Sequence, residues 1–160
     1  MDRYTEYKDS GVRWIGKIPV HWRTASLKRM VSLVKDKTTD SKEPYIALEH
    51  IESYSGRLLP LSGIEPESSC YRFRQGDILF CKLRPYLTKC VIPDFAGKCS
   101  SELLVLRGFK GYSKYLQYVL LSPKYISDVN ASTYGAKMPR ANWSYISTLP
   151  IPIPSSEEQQ

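Results

Sequence analysis

The spacing of apolar residues predicts the first regular element of the chain near residue 24. From this point, apolar side chains recur at steps of three and four residues, at Leu27, Met30, Val31 and Val34. Such spacing places them on one face of a helix, and Thr24 or Ser26 can cap its first turn. The pattern therefore predicts one amphipathic helix over 24–34.

Short apolar runs bounded by turn residues predict strands in the middle of the chain. One run covers 45–48, two stronger runs cover 77–83 and 87–92 on either side of a turn at 84–86, and a further run covers 99–108. Their short connections favour antiparallel pairing. The sequence therefore predicts a curved, mainly antiparallel sheet.

Beyond residue 112 the periodicity becomes helical. The dipeptide Ser122-Pro123 divides this region into two helices, since proline fits the first turn of a helix but not its interior. In 149–154, apolar residues alternate with prolines, so this segment can lie extended against a core but not inside a sheet. The apolar faces of the two helices are Tyr115, Leu116, Val119 and Leu120, then Tyr125, Ile126 and Val129. The predicted fold class is α/β in the mixed α+β sense, with helices flanking the sheet.

The two ends of the chain have their own patterns. Residues 1–23 contain two tryptophans and a proline, which predicts an ordered N-terminal arm that docks its aromatic side chains. At the other end, Ser155 stands three residues before Glu158, the spacing of a capping box that opens a helix. We expect one domain over 1–154 and the start of a truncated helix at 155–160.

Composition is that of one folded domain. The chain has 160 residues, of which 42% are hydrophobic and 24% charged. Its apolar runs are far shorter than the roughly 20 residues of a membrane span, and its polar start does not resemble a signal peptide, so a cytoplasmic protein is expected. The four cysteines form no Cys-x-x-Cys pair, which predicts reduced, mostly buried thiols and no metal site.

Positive charge is concentrated in one part of the sequence. The net charge is +7, but residues 71–147 hold twelve basic and four acidic residues, a net charge of 12 − 4 = +8. The rest of the chain holds eleven basic and twelve acidic residues, a net charge of 11 − 12 = −1. Such asymmetry predicts a polyanionic partner, although a merely basic surface would show the same count.

Motifs for catalysis are missing from the sequence. It has no Gly-x-Gly-x-x-Gly and no Walker-type Gly-Lys-Ser/Thr, so no nucleotide cofactor is predicted. The histidines, His21 and His50, have no catalytic constellation around them. A metal-dependent nuclease needs a carboxylate two residues before a lysine on an apolar strand, and only Glu6-Tyr7-Lys8 and Asp40-Ser41-Lys42 have that spacing, both in polar segments.

Two loops combine cationic and aromatic side chains. The first surrounds a proline turn, and arginine there can donate to guanine O6 and N7 while lysine and tyrosine bind phosphate oxygens. The second offers hydroxyls and backbone amides beside two cations. The candidate DNA-binding residues are Lys82, Arg84, Tyr86 and Lys89 in the first loop and Thr133, Tyr134, Lys137 and Arg140 in the second.

The order of sequence blocks resembles that of the specificity subunits of Type I restriction-modification systems. The blocks are YKDSGVRWIGKIPVHW, YIALEHIES with GRL, FRQGDILFCKLRPYLTK, CSSELLVLRG, YLQYVLLSPKYI, STYGAKMPRANW and LPIPIPSSEEQQ, and they span nearly the whole chain. Their shared order is more specific than any single block. The chain is therefore similar to one target-recognition domain of such a subunit.

This resemblance implies a non-catalytic role. A family member recognises one half of a split double-stranded DNA site with each of two domains, and methyltransferase and restriction subunits supply the chemistry. The family's loops correspond here to Lys82, Arg84 and Tyr86 and to Thr133, Tyr134, Lys137 and Arg140. The ending EEQQ is similar to the start of the family's spacer helix, through which a half-subunit could pair with itself.

Two other interpretations remain open from the sequence alone. An RNA-binding accessory module would share the basic half of the chain, since RNA-binding proteins also need cations and aromatic rings. A metal-dependent nuclease would cleave nucleic acid without partner chains. Neither the recognised bases nor the oligomeric state follows from the sequence.

Overall fold

The computed structural model describes residues 4, 6–39 and 42–160. Its strands, in chain order, are β1 (Tyr7–Asp9), β2 (Lys17–Pro19), β3 (Arg23–Ser26), β4 (Ser32–Val34), β5 (Lys37–Thr38), β6 (Tyr45–Ile46), β7 (Cys70–Phe73), β8 (Ile78–Cys81), β9 (Cys90–Val91), β10 (Gly97–Ser100), β11 (Leu103–Arg107) and β12 (Pro150–Ile153). Its α-helices are α1 (Leu27–Met30), α2 (Ser113–Leu121), α3 (Pro123–Ala131), α4 (Trp143–Ile146) and α5 (Ser156–Gln159), and single 3-10 turns lie at Leu48–His50 and Pro85–Leu87.

A sheet with the strand order β4, β11, β8, β9 divides the apolar core into two parts. Ile78 and Phe80 of β8 pack in the first part, whereas Leu79 and Cys81 pack in the second. Successive side chains of a strand point to opposite faces, so a strand that is covered on both sides must be apolar throughout. This requirement explains the unbroken apolar run from Ile78 to Cys81.

A second sheet, with the order β5, β7, β10, β6, covers the second part of the core through Ile46, Phe73 and Cys99. Its strands are antiparallel except for β10 and β6, which run parallel. The helices α2 and α3 cover the first part of the core on the other side of the dividing sheet. The predicted fold class, mixed α+β with mainly antiparallel strands and flanking helices, is confirmed.

The predicted helix pair is also confirmed. Ser122 ends α2, and Pro123 occupies the first turn of α3. Tyr125 of α3 is completely buried, and its ring lies edge-on to Trp14, with 5.2 Å between ring centroids, and to Phe80, with 6.3 Å. The arm tryptophan is thereby docked on the core as the sequence suggested.

The helix predicted over 24–34 is wrong except for one turn. The segment is β3, the short α1 and β4, because its backbone is engaged by distant residues. The N–H of Leu27 donates to the Leu149 carbonyl at 3.2 Å, and that of Lys28 donates to the Ser147 carbonyl at 2.9 Å. Its apolar residues are buried, but from a strand–turn–strand arrangement rather than from one helical face.

The single strand predicted over 99–108 is in fact two strands. Ser101 and Glu102 form a turn that sends β10 into one sheet and β11 into the other. The strands predicted at 45–48 and 87–92 are present but shortened to two residues each, β6 and β9. The short polar turn at 101–102 therefore marks the point where the chain passes from one sheet to the other.

The prediction that 149–154 stays outside any sheet is wrong, since β12 pairs antiparallel with β3. The carbonyl of Pro150 accepts from Trp14 Nε1 at 2.9 Å, and that of Pro152 accepts from the Tyr115 hydroxyl at 2.6 Å. The backbone carbonyls of both prolines thus point away from β3. On that side of β12 no strand of the described residues is paired, so the missing N–H of proline removes no hydrogen bond between strands.

The capping box predicted at the end of the chain is confirmed. The Glu158 N–H donates to Ser155 Oγ at 3.3 Å, and the Ser155 N–H donates to Glu158 Oε1 at 3.2 Å. The same carboxylate accepts from the Tyr4 hydroxyl and from Trp22 Nε1, and it lies 2.9 Å from His21 Nε2. These partners, foremost Tyr4, hold the pKa of Glu158 well below its usual range. The two ends of the domain are thereby joined.

All four cysteines are buried, as predicted, and each is a free thiol. Burial raises the pKa of Cys81 to about 11, so this thiol stays protonated at neutral pH. In the described part of the chain, every helix is too short or too polar to cross a bilayer.

Candidate nucleic-acid interface

The two loops singled out in the sequence lie side by side, and we call residues 82–89 and 132–140 the paired loops. The N–H of Arg84 donates to the Pro139 carbonyl at 2.7 Å. The N–H of Ala141, the residue directly after the second loop, donates to the Lys82 carbonyl of the first loop at 2.8 Å. Segments about fifty residues apart in sequence therefore present one continuous surface.

The second of the paired loops is a closed hairpin. The N–H of Tyr134 donates to the Arg140 carbonyl at 3.1 Å, and the N–H of Arg140 donates back at 3.0 Å. Gly135 takes a positive φ of 93° at the bend, a conformation that glycine tolerates best. Thr133 Oγ1 donates to the Asn130 carbonyl at 2.8 Å, so the hydroxyl of this predicted site residue binds one of the last carbonyls of α3.

The first of the paired loops holds strained backbone. Arg84 and Thr88 have φ values of 47° and 54°, on either side of the Pro85–Leu87 turn. Left-handed backbone at non-glycine residues costs about 1–3 kcal/mol and is rarest for β-branched ones. With this backbone, Thr88 is buried, whereas Tyr86 lies at the tip of the loop and is 48% exposed. Such strain is concentrated at functional sites in proteins.

An ion pair ties the second loop to the turn between β10 and β11. Arg140 Nε donates to Glu102 Oε1 and Oε2 at 2.9 and 3.0 Å, and Arg140 Nη2 donates to Oε1 at 2.7 Å. This bond raises the pKa of Arg140. The arginine side chain remains 33% exposed and that of the glutamate 18%. No local pattern predicts this pair, because 38 residues separate its members.

Three further predicted site residues face solvent or the rim of the paired loops. Tyr134 is 59% exposed, and Lys137 is exposed next to it. The guanidinium of Arg84 reaches across, and its Nη2 donates to the Lys137 carbonyl at 3.2 Å. With Tyr86, these side chains supply the rings and cations that DNA phosphates and bases can bind.

Lys89 and Lys82 are placed differently from each other. The ammonium of Lys89 donates to the Leu48 carbonyl at 2.8 Å, so this side chain connects the first of the paired loops to the 3-10 turn at Leu48–His50. Lys82 lines a cavity of about 280 Å³ together with Tyr71, Tyr134 and Trp143. The aromatic wall of this cavity was not predicted from the sequence, because its three members are separated along the chain.

The cations of 71–147 do not all contribute to one face. Within the described residues, carboxylates pair with Arg72, Arg107 and Arg140 at 3.0, 2.8 and 2.7 Å. Lys98 is buried. Lys114 and Lys124 line two grooves of their own. Among the residues that the structure describes, the paired-loop cations without a carboxylate partner are therefore Lys82, Arg84, Lys89 and Lys137.

Comparison with known proteins points to one class of relative. No family model matches the chain. The chain is 26% identical over 148 residues to the Type I restriction enzyme EcoDI specificity subunit of Escherichia coli. The match covers 89% of this chain but 33% of that protein. The chain thus spans about a third of the length of this relative.

Solved structures share the fold. A chain from a structure on complex assembly and conformational transition of the type I R-M system superposes with a TM-score of 0.73 at 23% identity, over 88% of this chain and 40% of that one. The HsdS subunit from Thermoanaerobacter tengcongensis superposes with a TM-score of 0.71 at 24% identity, over 89% of this chain and 40% of that one.

Proposed function

We propose that this chain, a homologue of the specificity subunits of Type I restriction enzymes, recognises one half of a split double-stranded DNA target with the paired loops. The observation that carries the proposal is the backbone bonding between 82–89 and 132–140, which joins two cationic, aromatic loops into one surface. A joined surface can contact phosphates, which position the protein, and base edges, which carry the sequence, at the same time.

The described side chains support binding rather than catalysis. Lys137 and Arg84 suit phosphate oxygens, since both are cations at the rim of the surface. Tyr86 and Tyr134 add exposed hydroxyls and ring faces. The role is therefore sequence choice without chemistry, and the reactions belong to methyltransferase and restriction subunits as partner chains in the cytoplasm.

The same proposal assigns the parts of the chain. Residues 1–154 form the target-recognition domain, with 1–23 as its arm, and residues 155–160 begin a spacer helix. The network around Glu158 supports this division, because it fixes the start of α5 against the arm. Such a helix would dock the partner subunits and would let two copies pair.

Selection from a random duplex library tests the proposal with the full chain. We expect one short motif to be enriched. If about six phosphates are neutralised, the logarithm of the binding constant should fall with the logarithm of salt concentration at a slope of about −5. Equal enrichment of all sequences would contradict the proposal.

Competition experiments separate duplex DNA from the alternatives. Single-stranded RNA should compete poorly, because the proposed surface binds a duplex groove, whereas RNA-binding proteins favour unstacked bases. Adding Mg²⁺ or Mn²⁺ should cause no cleavage by the isolated chain. Preferential RNA binding or metal-dependent cleavage would replace the proposal by one of the other two interpretations.

A further inference from the structure

The Glu102–Arg140 pair leaves one edge of the guanidinium unused. Arginine carries five N–H donors. The contacts with Glu102 use the Nε donor and one Nη2 donor, the side edge of the group. The remaining donors are those of Nη1 and the second one of Nη2, and no acceptor for them lies in the described part of the chain. Two of these three donors, one on each terminal nitrogen, are parallel and form the end edge of the group.

Glu102 also fixes where this edge points. Its backbone carbonyl accepts from the Lys82 N–H at 3.0 Å, so the carboxylate is anchored to the same loop that pairs with Arg140. A guanidinium held on its side edge cannot rotate freely, and less entropy is lost when its end edge binds a ligand. Arg84 differs, because its only side-chain bond within the described residues is to a backbone carbonyl.

Charge decides which DNA group fits this edge. A phosphate is bound mainly through net positive charge. Arg140 and Glu102 together are neutral, so they offer direction rather than charge. A base edge with two adjacent acceptors gains from direction, and guanine O6 and N7 form such a pair in the major groove.

We infer that Glu102 positions Arg140 to bind the O6 and N7 of a guanine in the target site. The inference rests on the proposed function, since it assumes that the paired loops lie in a groove of duplex DNA. Arg140 is then the residue that contacts the base, and Glu102 is a positioning residue that acts through it.

The experiment selects duplexes from a random library with the wild-type chain, Glu102→Gln, Arg140→Ala and Arg140→Lys. Wild type should select a motif with at least one fixed guanine. Both Arg140 variants should lose that one position and keep the others, since lysine retains the charge without the fork. Glu102→Gln should weaken the preference at the same position. Glu67→Gln is the matched control, because Glu67 accepts from Ser100 and Ser101 at the same turn without touching an arginine.

Replacing that guanine by 7-deazaguanine removes one acceptor and keeps base pairing. Wild type should lose about tenfold in affinity, as expected for one charged hydrogen bond, and Arg140→Ala should lose nothing more. Uniform weakening of all sequences by the Arg140 variants, with the motif unchanged, would overturn the inference and leave the proposed function standing. Absence of any motif with wild type would overturn the proposed function itself. Thermal denaturation identifies a variant that has not folded, and Arg140→Lys then replaces Arg140→Ala.

Discussion

Two arginine–carboxylate pairs with similar donor–acceptor distances lie in different regions of this protein. In the dividing sheet, Arg107 donates to both oxygens of Asp77 at 2.8 Å. In the paired loops, Arg140 donates to Glu102 at 2.7–3.0 Å. The arginines are almost equally exposed, at 31% and 33%, but Asp77 is 3% exposed and Glu102 is 18%.

The surroundings, not the bond lengths, distinguish these two pairs. Asp77 Oδ2 also accepts from the Arg74 N–H at 2.8 Å, which closes the turn before β8, so every part of that carboxylate serves the fold. Glu102 instead faces a loop with exposed rings and a free cation edge. The ion pair in the sheet therefore stabilises the fold, whereas the ion pair in the paired loops is the one to which we assign a part in recognition.

The largest expected effect is on the sheet. Phe80 is completely buried between the strands and α3, so Phe80→Ala should lower the free energy of unfolding by about 3–5 kcal/mol. Chemical denaturation measures this loss. Tyr86→Ala is the matched aromatic substitution in the paired loops and should change stability by less than about 0.5 kcal/mol. Equal losses would erase the proposed difference between the two regions.

The next effect compares the two ion pairs directly. Asp77→Asn should lower the free energy of unfolding by about 1.5–3 kcal/mol, because charged hydrogen bonds to a buried carboxylate are lost. Glu102→Gln should cost less stability, since its carboxylate is more exposed. Denaturation curves of both variants, together with their selected DNA motifs, check this. A changed motif with Asp77→Asn would show that the sheet pair also takes part in recognition.

A smaller effect, on DNA binding, distinguishes an exposed lysine of the paired loops from one on α3. Lys137→Ala should weaken DNA binding by about 1 kcal/mol and reduce the salt slope by about 1, as for one lost phosphate contact. Lys124→Ala, on α3 and outside the paired loops, should leave both unchanged. Titrations at several salt concentrations measure both quantities. Equal weakening by the two variants would mean that DNA covers α3 as well.

The smallest effect is a gain. The hydroxyl of Tyr125 is buried without a hydrogen-bond partner in the described residues, and burial raises its pKa. Tyr125→Phe should therefore raise the free energy of unfolding by up to about 1 kcal/mol while DNA binding stays the same. A loss of stability in the denaturation curve would show that this hydroxyl has a partner after all.

The parts of the fold that follow from local patterns were predictable. The apolar run of β8 and the Ser122-Pro123 boundary between α2 and α3 each depend on neighbouring residues. The structure of segment 24–34 was not predictable, because two of its N–H groups donate to the carbonyls of Ser147 and Leu149. A three-and-four spacing reports burial, and distant partners decide whether it becomes a helix or a strand.

The candidate site shows the same division. Its eight residues were chosen from charge and ring content within two loops, and the structure brings those loops together. The contact that holds the Arg140 side chain could not be predicted, because Glu102 counted only as one acidic residue in a basic region. Pairs formed across 38 residues leave no local signal in one sequence.

The bond between the Tyr4 hydroxyl and the Glu158 carboxylate closes the domain almost into a ring, since the two residues are 154 positions apart in sequence. A domain whose first and last segments meet in this way is tolerant of circular permutation. A short peptide linking the two ends of the domain, with a new opening in the exposed segment 62–69, would leave every sheet and both paired loops intact. The paired loops would thus occupy a different place along the permuted sequence without any change in their own residues.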